Sequence, residues 1–457
     1  MNPRLGALAV AAALVVLAQF PFWLMQCRVM IQRPILNLDL LVAVVILLWS
    51  RWLGLAALTV AWLIEINHDA SASYHFLGIA DLVDAARFLD LVKLSSILSW
   101  QFVVALALLV GGAAAMAWLA RIARPPALVV LAVVVLGVAA FGADVLNGSN
   151  NLFGNDRDHF AINANIAGSP GLSAVKAFIV ERRGASEPMA RSADPITFDR
   201  AIAWHVGHPD ASVLLVLVES MGLPQSPAIR AWMASRLDTA EIRRRWTIRR
   251  TVEPFRGSTV YGELRVLCGL QGHYSRLRPE DEAQCLPRRF LTAGGQALGL
   301  HGFNMRMFDR QHWWRELGLE PQDLSVDAGT PASFDCNDAF PGVCDGAVLR
   351  RAAALAETPR RLVYVVTLDT HLPLPTRSLS MPPGLAELCV HERLPVDGCQ
   401  IVNRLGWLLD QLQADLSAMR HPPLVLVSGD HAPPFLERAA RDTFDPARVL
   451  GFVLEPR

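Results

Sequence analysis

Apolar residues crowd the first third of the chain. Five stretches there, 7–25, 35–50, 52–66, 98–120 and 127–146, are almost free of charge. At about 1.5 Å of rise per residue, the first and the last two can span roughly 30 Å of hydrocarbon as helices. Stretches 35–50 and 52–66 are shorter and flank Arg51. They read either as two short spans with a tight turn or as one long helix, which leaves five spans or four. Stretch 7–25 resembles a signal peptide, but no small-residue cleavage site follows it, so it reads as an uncleaved anchor. Residues 147–205 are polar and rich in Gly, Asn, Ser and Pro, as a linker is. From 206 onward the pattern changes again.

There, unbroken apolar runs of strand length alternate with helical periodicity. "ASVLLVLVES" ends at Glu219, "RRLVYVVTLDTH" at His371 and "PPLVLVSGDH" at Asp430 and His431, and "ALGLHGFNM" is a shorter fourth run. Runs of Val and Leu without alternation predict strands covered on both faces, as in a parallel sheet. Residues 401–419 carry a helical pattern between two of them. The expected fold is therefore an N-terminal α-helical transmembrane bundle of about five spans (1–146), a linker (147–205), and a C-terminal α/β domain (206–457) with a mostly parallel central sheet.

Flanking charge sets the expected orientation. With the N-terminus inside, Arg4, Arg51, Arg121 and Arg124 lie on the cytoplasmic side. Asp69, Asp81, Asp84 and Asp90 fall in the outer loop 67–97, and Arg28 and Arg33, in the first outer loop, run against the rule. The C-terminal domain is thus expected outside the cytoplasm. Within that loop, residues 74–96 place Phe76, Ile79, Leu82, Val83, Phe88 and Leu91 at helical spacing, the pattern of an amphipathic helix lying on the outer membrane surface.

Of seven cysteines, six lie in the C-terminal part in three sequence-local pairs. An even set in an exported domain suggests disulfides, and the local pairing is 268–285, 336–344 and 389–399, although six cysteines allow about 15 connectivities. The formal net charge is zero, which argues against nucleic acid as a partner. Arg greatly outnumbers Lys, as in a GC-rich genome.

Open α/β sheets form their sites beyond the carboxyl ends of the strands. Three expected strands deliver Glu219, His371 and the pair Asp430–His431 there, and Gly429 lets the last of them turn sharply. Glu219, Asp430 and His431 are a fitting set for a divalent metal. In "FRGSTVYGEL", Ser258 and Thr259 stand at a helix start with Glu263 just inside. That is either a capping arrangement or a hydroxyl placed to handle phosphate at a helix N-terminus. With the three ligands nearby, Thr259 completes the metal shell and becomes a nucleophile, so the cap position and the nucleophile are expected to coincide.

Taken in order, "LVLVESMG", "GSTVYGEL", "LHGFNMRMFDRQHWWRELG", "TLDTHLPLP" and "VSGDHAPP" resemble the lipoteichoic acid synthase-like phosphoglycerol transferases of the alkaline phosphatase/sulfatase superfamily, over roughly residues 211–457. The resemblance implies a metal, commonly Mn²⁺ with Zn²⁺ or Mg²⁺ as alternatives, on Glu219, Thr259, Asp430 and His431. It implies a phosphothreonine at Thr259, and contacts from Arg310, His301 and His371 to a phosphoglycerol head group. An arginine suits that task because its guanidinium grips phosphate oxygens in pairs; His371 can instead protonate the leaving group. Trp313 and Trp314 read as core. The sulfatase signature is absent around 258–265. Phosphoethanolamine transferases usually carry Glu-Thr-x-Arg where this chain has "ESMGL", and a further histidine after the Asp-His pair. The implied activity is transfer of phosphoglycerol from phosphatidylglycerol to a periplasmic glycan or envelope polysaccharide, at the inner membrane of a Gram-negative cell. A phosphoethanolamine transferase, a phosphoester or sulfate-ester hydrolase and a non-catalytic receptor are the rivals.

Overall fold

The computed structural model describes residues 3–29, 37–73, 84–93, 100–122 and 189–457, the last without 323, 325–335 and 376–378, besides isolated positions between 95 and 139. Most of the fifth apolar stretch and most of the linker lie outside the described residues. The chain divides into two compact units. One takes in Met1–Leu82, Leu98–Ser186 and Leu436–Arg438; the other takes in Val83–Ile97, Glu187–Phe435 and Ala439–Arg457.

The first unit is helical: α1 (Pro3–Val29), α2 (Leu38–Trp49), α3 (Arg51–Ser73) and α4 (Trp100–Ile122). The ambiguity around Arg51 resolves into two helices. Ser50 breaks them with an extended backbone, φ −139° and ψ 113°. They approach closely, since a Cβ on Gly54 would lie 2.1 Å from the Leu47 Cα. Leu14, Ala18, Leu40, Val44, Leu47, Leu58, Trp62 and Met116 form the unit's core. Counted over the described residues alone, no helix is long and apolar enough to cross a membrane.

The second unit is built on an eight-stranded sheet. Its strands are β1 (Val213–Val218), β2 (Gly222–Pro224), β3 (Trp246–Pro254), β4 (Gln296–His301), β5 (Glu320–Gln322), β6 (Arg361–Val366), β7 (Leu424–Gly429) and β8 (Phe444–Pro456). The order is β2-β8-β7-β1-β6-β4-β5, with β3 also paired to β8. The four apolar runs are β1, β6, β7 and β4, and all their mutual pairings are parallel. Every residue of β1 and β7 is buried. Alternate residues Leu214, Val216, Val218, Val363, Val365, Val425 and Val427 share a core with α7 (Asp345–Ala356) and α8 (Val396–Ala418). Residues of the opposite phase face the helices on the other side, among them α5 (Thr259–Cys268).

The sheet is more mixed than the sequence pattern implied. Strands β2, β3 and β8 add an antiparallel edge. Strand β3 escaped the apolar-run criterion because a third of its residues are charged, with only its two end regions buried. The three cysteine pairs are bonded as expected, 268–285, 336–344 and 389–399.

The expected surface helix at 74–96 takes another form. Residues 74–83 lie outside the described residues. Residues 84–86 make one helical turn, and Leu89–Leu91 a 3-10 turn. Phe88 is 6% exposed, because it packs within the second unit rather than facing outward.

Register does the functional work. Val218 pairs with Gly429, and Val366 lies between Leu217 and His301. The next residues, Glu219 and Asp430, therefore emerge side by side on the edge that also carries His301. A Cβ on Gly429 would stand 2.0 Å from the Met221 carbonyl oxygen. Gly429→Ala should cost about 1–3 kcal/mol through this overlap with backbone. The check is a lowered denaturant midpoint at unchanged slope.

Candidate metal and phosphate site

Glu219, Asp430 and His431 are buried, and each offers a ligand atom within 4.8 Å of the others. Their surroundings leave one lone pair of each pointing inward. The Asp430 Oδ1 accepts the N–H groups of Ser220 (2.8 Å) and His431 (2.6 Å), whereas Oδ2 has no hydrogen-bond partner. The His431 Nδ1–H donates to the Ala432 carbonyl at 2.9 Å, which fixes the ring orientation and turns Nε2 toward the carboxylates. That Nε2 lies 3.3 Å from Asp430 Oδ2, 3.6 Å from Glu219 Oε1 and 3.5 Å from Thr259 Oγ1. Thr259 Oγ1 also lies 3.1 Å from Glu219 Oε2. A tetrahedral shell with bonds of about 2.0–2.2 Å separates its ligand atoms by roughly 3.3–3.6 Å. The four groups fit a divalent cation in both chemistry and spacing.

Helix α5 brings the hydroxyl. Ser258 is its N-cap, but the Ser258 side chain makes no capping bond, and Thr259 is the first helical residue. Cap and candidate nucleophile are thus neighbours rather than one residue. Glu263 is no capping partner either. It is fully buried and accepts Arg310 Nε (2.9 Å), Arg310 Nη2 (2.8 Å) and Trp314 Nε1 (2.9 Å). Gly262 lets α5 press on the metal-ligand turn, since its Cβ would lie 2.9 Å from the Asp430 Cβ.

Arg310 opens α6 (Arg310–Glu316) after two residues in the left-handed region, Phe308 (φ 52°) and Asp309 (φ 56°). It is buried, and its guanidinium lies over the Phe308 ring at 5.4 Å. Its Nη1 is 3.4 Å from His301 Nε2, while His301 Nδ1 donates to the Val366 carbonyl at 2.9 Å. In this arrangement His301 steadies Arg310. Burial, and then the Arg310 charge, lower the His301 pKa to about 3. His371 is held down to about 4 by burial and then by His431. Both imidazoles are neutral at pH 7. Burial alone would also depress His431, but the Asp430 and Glu219 carboxylates outweigh it and raise its pKa. Trp313 and Trp314 are buried, as expected of core residues.

Several residues that hold this site had no signal in the sequence. Ser220 sits at φ 56° and donates Oγ–H to Glu219 Oε1 at 2.9 Å. Such backbone strain persists only where surroundings over-determine it. The Arg265 side chain, buried, reaches from α5 to the carbonyl oxygens of Gly429 and Asp430 and pairs with Glu253 at 3.6 Å. Thr367 Oγ1 accepts the Glu219 N–H at 2.9 Å, and Thr370 Oγ1 donates to the Glu219 carbonyl. Asp345, at the start of α7, accepts the N–H groups of Leu368 (2.8 Å) and Asp369 (2.7 Å). A lone charged residue in a helical pattern looks like surface; only the fold shows these to be internal.

No family profile matches the chain, and no curated protein is similar to it. Solved structures are. The lipoteichoic acid synthase LtaP of Listeria monocytogenes is 12% identical at a TM-score of 0.36, over 60% of this chain and 71% of that one. An alkaline phosphatase superfamily protein of Vibrio parahaemolyticus is 12% identical at 0.37, over 54% and 60%. The Streptococcus pyogenes phosphoglycerol transferase GacH, solved with sn-glycerol-1-phosphate, is 12% identical at 0.35, over 59% and 78%. The chain is thus similar to transferases and to a member of the alkaline phosphatase superfamily. At these scores the likeness is remote, and the chemistry of the site has to carry the functional reading.

Two predictions concern the metal. Ser220→Ala and Arg265→Met leave every ligand in place, and each should weaken Mn²⁺ binding by about 10–100-fold in calorimetry. In the metal-free protein, burial and then the Glu219 charge push Asp430 up to about 7, and burial pushes Asp369 up to about 6, both from 3.8. The folded chain then holds more protons than the unfolded one, so these groups' contribution to stability is lost as pH rises from about 4 to about 7. A cation needs Asp430 ionised. Mn²⁺ should therefore raise the melting midpoint more at about pH 7.5 than at about pH 5. Equal gains would remove Asp430 from the ligand set.

Proposed function

We propose that this chain is a membrane-anchored, divalent-metal-dependent phosphotransferase that moves a phosphoglycerol head group from phosphatidylglycerol, through Thr259, to a glycan or envelope polysaccharide. The observation that carries this reading is the position of Thr259 Oγ1. It lies 3.1 Å from Glu219 Oε2 and 3.5 Å from His431 Nε2, at the start of a ten-residue helix whose N-cap side chain leaves the first turn uncapped.

A bound divalent cation, Mn²⁺ by preference, would lower the pKa of that hydroxyl and offset charge on the phosphoryl oxygens. Glu219, Asp430 and His431 would hold it, with Thr259 beside them. Thr259 Oγ1 directs its proton at Glu219 Oε2 and attacks phosphorus. The bond from phosphorus to the diacylglycerol oxygen breaks, and that oxygen leaves with a proton, which balances the one given up by Thr259. Residue 259 is then a phosphodiester carrying glycerol. An acceptor hydroxyl attacks it in turn, which restores Thr259 and releases the glycerophosphorylated product. Arg310 faces the phosphoryl oxygens and stabilises their charge, held in direction by Glu263 and His301. His371, neutral at pH 7, donates its N–H to a phosphoryl or leaving oxygen.

The N-terminal unit supports the lipid donor. Its outward residues are apolar as well as its core: Val16, Phe20, Val42, Trp49, Trp52, Leu53, Val60, Leu63, Leu106, Val110 and Trp118 are all exposed. A helical unit apolar on both sides suits a bilayer rather than water. The flanking charges support a catalytic unit on the outer face of the inner membrane.

The test is the intact mass of the full-length protein in detergent with Mn²⁺, before and after incubation with phosphatidylglycerol. A gain of one glycerophosphate, absent in Thr259→Ala, is the expected outcome. An adduct only from phosphatidylethanolamine would change the head group to phosphoethanolamine. No adduct together with rapid release of soluble phosphoester would point to a hydrolase.

A further inference from the structure

Residues 84–93 lie in sequence between the third and fourth apolar stretches, yet they are part of the second unit. Asp84, buried, accepts the Tyr274 hydroxyl at 2.5 Å and lies 3.6 Å from His273 Nε2. Tyr274 stacks on Trp313, with ring centroids 5.5 Å apart and planes 13° apart. Trp313 stands on α6, three residues after Arg310. Phe88 meets Phe308 edge-on at 6.2 Å, and Phe308 is the ring under the Arg310 guanidinium. Asp90 pairs with Arg306 at 3.4 Å, an exposed contact that adds little by itself. Leu91 and Val92 pack against Phe303, Ala339, Phe340 and Leu368. Phe340 in turn lies edge-on to His371 at 4.5 Å. The Lys93 N–H closes the segment onto the Ala339 carbonyl at 3.0 Å.

Two of these contacts lead toward Arg310, through Phe308 and through Trp313, and one leads to His371 through Phe340; none of them touches Glu219, Asp430 or His431 directly. The turn before Arg310 also needs outside support. Two consecutive non-glycine residues there sit in the strained left-handed region, and Phe308 is one of them.

We propose that residues 84–93 are a strap that positions the substrate end of the site. It sets Arg310 through Phe308 and Trp313, and His371 through Phe340. Metal binding and substrate binding are thereby assembled by different parts of the chain. A loop bounded by apolar segments supplies the side that receives the head group. This rests on Arg310 and His371 contacting the head group, as proposed above.

The experiment uses the full-length protein in detergent with Mn²⁺ and bis(p-nitrophenyl) phosphate as the phosphodiester probe. Phe88→Ala and Asp84→Ala should raise KM roughly 10- to 100-fold. Mn²⁺ affinity should stay within about twofold, because the ligands are held elsewhere. Asp84→Asn, which still accepts the Tyr274 hydroxyl, should recover most of the loss. Unchanged KM would overturn the strap, as would KM and Mn²⁺ affinity failing together. If the wild-type protein turns over no phosphodiester, the functional reading falls, and hydrogen exchange in the same variants decides the strap alone. Faster exchange confined to 303–313 and 339–340 supports it; no change, or equal acceleration at 219–220 and 430–431, overturns it.

Discussion

Two carboxylates, Glu219 and Asp430, are buried beside each other at the end of adjacent parallel strands, and the rest of the second unit is arranged around that charge. Burying one uncompensated carboxylate is costly, and burying two in contact costs more. The chain accepts this by gathering lone pairs toward a common point. Asp430 spends one oxygen on two backbone N–H groups and turns the other, which makes no hydrogen bond, toward the His431 Nε2. His431 turns its ring hydrogen away to a carbonyl. A cation bound there would offset that cost and would tie the stability of this region to its occupancy.

Helix α5 joins the two ends of the site. All ten of its residues are buried. Thr259 faces the ligands, Gly262 lets the helix approach the ligand turn, Glu263 holds Arg310, and Arg265 grips the backbone at Gly429 and Asp430. A shift of this helix would move Thr259, Arg310 and the turn at 429–431 together. That rigidity is what preorganised electrostatic catalysis requires. The buried pairs Glu263–Arg310 and Glu253–Arg265 give specificity of position more than stability, since desolvation offsets much of their attraction.

The outer parts of the site are held less locally. Asp345 on α7 fixes the backbone at 368–369, and Thr367 and Thr370 grip Glu219 from there. The segment at 84–93 does the same for the turn at Phe308. These supports come from distant stretches of chain, so one strained turn is secured by several elements that each also serve the core.

By itself the sequence determined whatever depends on neighbours along the chain. Unbroken apolar runs specified the four central strands, because a strand covered on both faces has no polar position to spare. Their terminal residues announced Glu219, His371 and Asp430–His431, and local spacing paired the cysteines. The antiparallel edge was hidden, because β3 is a half-exposed strand whose charges mask its period. Arg265 and Asp345 were hidden, and Glu263 was visible only as a capping candidate, because a single charge in a helical pattern is indistinguishable from surface until its partner is known. The apolar spacing at 84–93 was visible, but what it packs on was not: Asp84 and Tyr274 lie 190 residues apart. Contacts at that separation are set by strand register and helix packing, and only the tertiary structure decides them.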